Sequence, residues 1–144
     1  LKDLETLVHQ RRGMWEDMGI DDKSALDEAD EVYRRWARKR LKDGSHVCWV
    51  AQNQSGTILG GGCLWLQPIQ PKPYLKKEAQ PYLLSMYTEP RFRRVGVGSR
   101  IVEEAIKWGK RNGYPWVTLH ASDTGRHIYR NYGFRRAWEM RLEL

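Results

Sequence analysis

Arg93, Arg94, Gly96, Gly98 and Arg100 fall within eight residues, between a strand-like run at 82–88 and an amphipathic run that begins near Ser99. Two glycines one residue apart let a chain turn tightly and leave no side chain over its N–H groups. A helix starting there adds unpaired N–H donors and the positive end of its dipole. With three arginines alongside, this stretch is suited to a phosphate or pyrophosphate. A plain glycine-rich turn is the competing reading. A dinucleotide fingerprint and a Walker loop both require a residue other than Ile101 at position 101, glycine in the first and the start of Gly-Lys-Ser/Thr in the second.

What remains, Arg93-x-x-Gly96-x-Gly98, looks like the coenzyme A pyrophosphate loop of the GNAT superfamily of N-acetyltransferases, whose pattern is Gln/Arg-x-x-Gly-x-Gly/Ala. Residues 121–134 carry a second likeness. They resemble the GNAT segment in which a strand leads into a helix bearing a tyrosine, here Tyr129, followed four residues later by Gly133-Phe134. The family often has Asn seven residues before that tyrosine. Ser122 holds the place and is a competent N-cap.

The resemblance implies a single α/β domain over residues 1–144, with a mixed, mostly antiparallel sheet, helices on both faces and two splayed central strands ending at Thr88 and Leu119. It implies acetyl-CoA as co-substrate and a primary amine as acceptor, attacking the thioester directly. Backbone groups of Met86, Tyr87 and Thr88 would hold the pantetheine arm and polarise the acetyl carbonyl. Arg93, Arg94, Val95, Gly96, Val97, Gly98 and Ser99 would hold the pyrophosphate, chiefly through backbone N–H groups, with Ser122 nearby as a helix cap. Tyr129 would protonate the departing sulfur. A catalytically silent coenzyme A sensor of the same fold is the alternative, and a nucleic-acid-binding module the remote one. His120 and Glu89 are candidates for the general base. Two departures stand out: the family's first strand would fall upstream of Leu1, and the hairpin after Gly-Phe is cut to about eleven residues.

The composition bounds these readings. The 144 residues are 40% apolar and 30% charged, enough for one domain with a proper core. The chain starts at Leu1 rather than Met, with no secretory signal and no apolar run of the ~20 residues that span a bilayer. Cys48 and Cys63 lie in apolar strand-like runs and read as buried inert thiols suited to a reducing cytoplasm. His9, His46, His120 and His127 show no metal-ligand spacing with each other or with the cysteines, so no metal site is expected. The net charge of +7 is spread along the chain without a Lys/Arg block. It reads as a basic surface that attracts an anionic cofactor. The oligomeric state stays open, a homodimer included.

Hydrophobic periodicity supplies the frame. A first helix runs from Leu4 to Met18, with Asp3 as cap and Gly19 as stop. A second, capped by Ser24, buries Leu26, Tyr33, Trp36 and Ala37 and ends at Gly44. Strands follow at 47–51 and 57–66, the second interrupted by Gly60-Gly61-Gly62, which signals a bulge or a close backbone approach. Residues 67–81, with four prolines, form a long loop that either folds over a cleft or lies on the surface. After the helix from Ser99 come a strand at 116–119, a helix from Ser122 to Tyr132 and a final strand at 134–144. Residues 16–31 carry eight carboxylates against the single Lys23, a local charge of −7. That segment either steers a cationic acceptor or is a solvated helix face.

Overall fold

Leu4, Leu7 and Val8 of the first helix and Tyr33 and Ala37 of the second are buried together against Cys63 of the sheet. The computed structural model describes residues 2–143 and gives helices α1 (Leu4–Asp17) and α2 (Lys23–Asp43). Strands β1 (His46–Gln52), β2 (Ile58–Pro68) and β3 (Ala79–Thr88) follow, then a 3-10 turn at Pro90–Phe92. Helix α3 (Val97–Arg111), strand β4 (Thr118–Leu119) and helix α4 (Arg126–Asn131) complete the regular elements. The sheet order is β1-β2-β3-β4, antiparallel except for the parallel β3–β4 pair. Leu64 and Leu83, on the opposite face, are buried with Val102 and Ala105 of α3, with Ile128 and Tyr129 packed alongside. The helices therefore cover both faces of one mixed sheet.

Several local expectations need correction. Asp3 sits at the N-cap of α1 but makes no side-chain cap bond. Asp22, not Ser24, caps α2, its Oδ1 accepting from the Ala25 N–H at 3.0 Å. A carboxylate there also faces the positive end of the helix dipole. Helix α3 begins at Val97, with Gly96 as its N-cap in the left-handed region at φ +89°. The proposed loop at 67–81 is shorter, because β2 runs on to Pro68 and β3 starts at Ala79. Its turn is pinned by mutual backbone hydrogen bonds of Lys72 and Leu75, and Leu75 is buried. This turn lies at the Ala79 end of β3, opposite the glycine loop that follows Thr88, so it does not cover that loop.

The sequence also predicts longer strands at the end of the chain. The strand at 116–119 contracts to Thr118–Leu119, paired with Tyr82 and Leu83. Residues 134–143 form no strand, and Leu144 lies outside the described residues, as does Leu1. Phe134 is anchored against the Tyr129 ring, but Trp138, Met140 and Leu142 alternate along the tail in solvent. A two-residue strand offers little ladder for a further segment to complete, and apolar alternation alone does not hold the tail in a sheet.

Candidate active site

Strand β3 outruns its parallel neighbour. Pairing with β4 stops at Leu83↔Leu119, while β3 continues to Thr88. Residues 84–88 thus lack a strand partner on that side among the described residues, and apart from the Thr88 carbonyl, which accepts from Arg93 Nε, their backbone groups there are open to a ligand that adds to the edge. The pairing ends where the resemblance implies that the two central strands splay apart.

The free edge is also bent. Between Gly61↔Tyr87 and Cys63↔Leu84 the β2–β3 register shifts, so that Gly62 faces both Ser85 and Met86. Ser85 has φ +54° and is buried. The bulge therefore sits on β3, opposite the glycines rather than in them. A bulge re-aims the N–H groups around it out of the ladder. The three glycines serve the other purpose named for them, close approach. A Cβ on Gly60 would run into the Tyr87 carbonyl, on Gly61 into the Gln10 side chain, and on Gly62 into the Met86 sulfur.

The loop after β3 turns through two left-handed residues, Arg94 at φ +64° and Gly96 at φ +89°. Among the described residues, no N–H group at 94–99 donates to a backbone carbonyl. Alternation of left-handed with ordinary backbone turns successive N–H groups inward, and the N-terminus of α3 adds its own. Arg93 has a different task. Its Nε donates to the Thr88 carbonyl at 2.9 Å and a terminal nitrogen to Asp17 Oδ2 at 2.6 Å. The Arg93 guanidinium therefore ties the loop to β3 and α1 through two of its nitrogens. Gly98 lies inside α3, where an added Cβ would stand 3.3 Å from Ile128 Cδ1 of α4. This contact seats the helix that carries Tyr129 against the first turn of α3.

Tyr129 packs its ring edge-on to Phe134, at 5.8 Å between centroids. Its hydroxyl has no hydrogen-bond partner among the described residues, and burial pushes its phenol above the usual tyrosine value. Tyr132, three residues on, is engaged instead: its hydroxyl donates to Glu103 at 2.9 Å. Ser122 is not the helix cap that the sequence suggests. The N-cap of α4 is Gly125, and Ser122 Oγ accepts from the Gly125 N–H at 3.2 Å in the turn before it. The three residues 123–125 form that turn, so the helix starts later than the motif implies.

The two candidate bases differ in setting. His120 is exposed just beyond β4 and makes no hydrogen bond among the described residues. Glu89, directly after β3, has its N–H bound to the Leu59 carbonyl and accepts from His9 Nε2 of α1 at 2.9 Å. One turn further along the same face of α1 is Gly13, where a side chain would strike the Tyr87 ring. Sequence reasoning missed His9 and Ser85. A glycine four residues after His9 in a helical pattern was the available sign of a close crossing.

The acidic segment is largely tied up. Arg12 holds Glu16, Asp27 and Asp30, Arg34 holds Glu31 together with Glu5, and Arg93 holds Asp17. Beside it, a cavity of about 450 Å³ is lined by Arg12, Glu16, Ile20, Asp21, Lys23 and Leu26, a lining with both signs of charge.

A model of the acetyltransferase (GNAT) domain matches residues 44–136, more than half of the chain. The chain belongs to the GNAT family of acetyltransferases. It is 28% identical over 105 residues to an uncharacterised N-acetyltransferase of Methanocaldococcus jannaschii, an overlap of 71% of this chain and 43% of that protein. The chain thus spans less than half the length of that relative. A GCN5-related N-acetyltransferase from Ralstonia eutropha JMP134 superposes with a TM-score of 0.88 at 28% identity, over 99% of this chain and 93% of the other. A predicted acetyltransferase from Clostridium acetobutylicum, solved with acetyl-CoA, gives 0.86 at 27% identity, over 99% and 90%.

Proposed function

We propose that this chain is an acetyl-CoA-dependent N-acetyltransferase acting on a primary amine by direct transfer. The observation that carries the reading is the run of β3 past β4, whose unpaired edge leads straight into the free N–H groups of the glycine loop. One continuous strip of backbone donors and acceptors fits a long ligand with a peptide-like arm and a pyrophosphate at one end. Acetyl-CoA has that shape and supplies the activated acyl group.

The residues divide the work. N–H groups at 94–99 meet the pyrophosphate, and the edge at 84–88 receives the arm as an added strand. The N–H groups re-aimed by the bulge at Ser85 and Met86 stabilise negative charge developing on the acetyl oxygen. The amine nitrogen forms its bond to the carbonyl carbon as the carbon–sulfur bond breaks. Tyr129 gives its proton to the leaving sulfur and is reprotonated from solvent. Glu89, oriented by His9, takes the proton that the amine loses, directly or through a water. An ordinary alkyl amine, with a pKa of about 10.4, needs such a proton acceptor near neutral pH.

The free hydroxyl of Tyr129 favours turnover over a silent binder. The test is free thiol production from acetyl-CoA with a panel of amines, amino acids and basic peptides. Thiol release that requires one of these amines supports the reading. Tight binding of acetyl-CoA with no release for any acceptor class favours the sensor.

A further inference from the structure

We propose that His46, Cys48 and Cys63 form a binding site for a thiophilic d10 cation, Zn²⁺ or Cu⁺, with His46 Nδ1 and the two cysteine sulfurs as ligands. This site lies on the α1–α2 face of the sheet and is separate from the reaction proposed above.

Cys63 is distant in sequence from His46 and Cys48 and is joined to them by strand pairing. His46 and Cys48, two apart on β1, share a face, and Cys63 of β2 stands directly opposite Cys48 in the antiparallel register. One ligand atom from each residue lies within 4.8 Å of the others. Bond lengths of ~2.3 Å to sulfur and ~2.0–2.1 Å to nitrogen set roughly 3.5–4 Å between ligands, so shifts of about 1 Å close the site.

The imidazole is prepared for this use. His46 is 2% exposed, and its Nε2 lies 3.2 Å from the Tyr33 hydroxyl. Its Nδ1 is buried with no partner among the described residues. A buried ring nitrogen without a partner costs free energy and asks for an explanation. With Nε2–H donating to Tyr33, the Nδ1 lone pair faces outward from that bond, and metal-binding histidines commonly have their second nitrogen held in this way.

Charge and access agree. Two thiolates neutralise Zn²⁺, which suits a buried site, and thiolate ligands select Zn²⁺ and Cu⁺ over harder ions. A cavity of about 270 Å³ reaches Cys48 between the start of α1, Leu41 of α2 and β1, and gives an ion a route in. A bound ion would clamp β1 to β2 and, through Tyr33, α2 to both. Cys63 is next to Gly62, which faces the β3 bulge, so the clamp stiffens the strand behind it.

The experiment uses the full chain, metal-stripped, with both thiols confirmed reduced by thiol titration. Co²⁺ is the spectroscopic probe, and Zn²⁺ and Cu⁺ are competing arms. The expected result is a sulfur-to-cobalt charge-transfer band that saturates at one ion per chain and is displaced by Zn²⁺ or Cu⁺. Cys48→Ser should abolish the band, and Tyr33→Phe, which keeps all three ligands, should weaken binding by roughly 10–100-fold. Zn²⁺ should raise the melting temperature of the wild type and leave that of folded Cys48→Ser unchanged. Absence of the band with both thiols reduced overturns the proposal. So does a band that survives in both Cys48→Ser and Cys63→Ser, or closure of the pair to a disulfide under reducing conditions.

Discussion

His9 and Glu89, eighty positions apart in the chain, meet at 2.9 Å where α1 crosses the end of β3. His9 is well exposed, so the pair contributes at most about 1 kcal/mol to stability. Its position beside the free edge of β3 gives it a chemical role instead. Glu89→Gln should lower kcat/KM for the amine by about 10²-fold or more, the lower end of the usual range for general base catalysis. The melting temperature should barely move. The check is a pH–rate profile for wild type and variant; an unchanged rate, with chemistry limiting, assigns the amine proton to another acceptor.

Tyr129 and Tyr132 provide an internal comparison, since one hydroxyl has no partner among the described residues and the other donates to Glu103. Tyr129→Phe should keep acetyl-CoA binding and lose turnover by roughly 10²–10⁴-fold. Tyr132→Phe should leave kcat close to wild type. The Tyr129 phenol must be protonated to act, and burial raises its pKa above the ordinary ~10. Activity should therefore fall only as pH climbs past that value. The sign for stability is the same: the contribution of the buried neutral phenol is complete below the unfolded-state value and is lost as pH rises through the folded one. Rates measured across the alkaline range with and without Tyr129 read both effects.

The two loop glycines should fail differently. Gly96 has φ +89° with open space around it, so Gly96→Val strains the backbone by about 1–3 kcal/mol and collapses the turn. Gly98 has ordinary helical angles, but a larger side chain there presses on Ile128 and moves α4. Gly96→Val should abolish acetyl-CoA binding by calorimetry. Gly98→Val should lower both affinity and kcat, because α4 carries Tyr129. Equal, wild-type affinity in both folded variants removes the loop from the binding site.

How far these features were legible follows from how local they are. The glycine loop and the helix faces are written in residues close together, and local rules of turn and period read them, whereas the Tyr129 helix was read from the family resemblance, which placed its start too early. The bulge at Ser85 and Met86 was half visible: Gly60, Gly61 and Gly62 signalled a close approach, but which strand carried the extra residue depended on register. His9 with Glu89, Arg93 with Asp17, and His46 with Cys48 and Cys63 are products of tertiary pairing, and no spacing along the chain announces them. The final strand was misread for the opposite reason. Alternation at Trp138, Met140 and Leu142 is a genuine strand pattern, but a strand also needs a neighbour long enough to pair with, and the edge strand β4 has two residues.

Arginines now account for most of the carboxylates between residues 16 and 31, and Asp21 stands in a cavity that also contains Arg12 and Lys23. Steering of a cationic acceptor should therefore be weak. Asp21→Asn should change kcat/KM by no more than a few-fold for amines of any charge, and that difference should vanish at high salt. A large loss confined to multiply charged amines would restore the acidic segment to substrate choice.

The most direct measurement is amide hydrogen exchange, residue by residue, with and without saturating acetyl-CoA. Binding along the free edge and the glycine loop predicts slowed exchange at 84–88 and 94–99, with β1 and the 69–78 turn unchanged. Saturated protein whose amides in those two stretches exchange as fast as before would contradict the account.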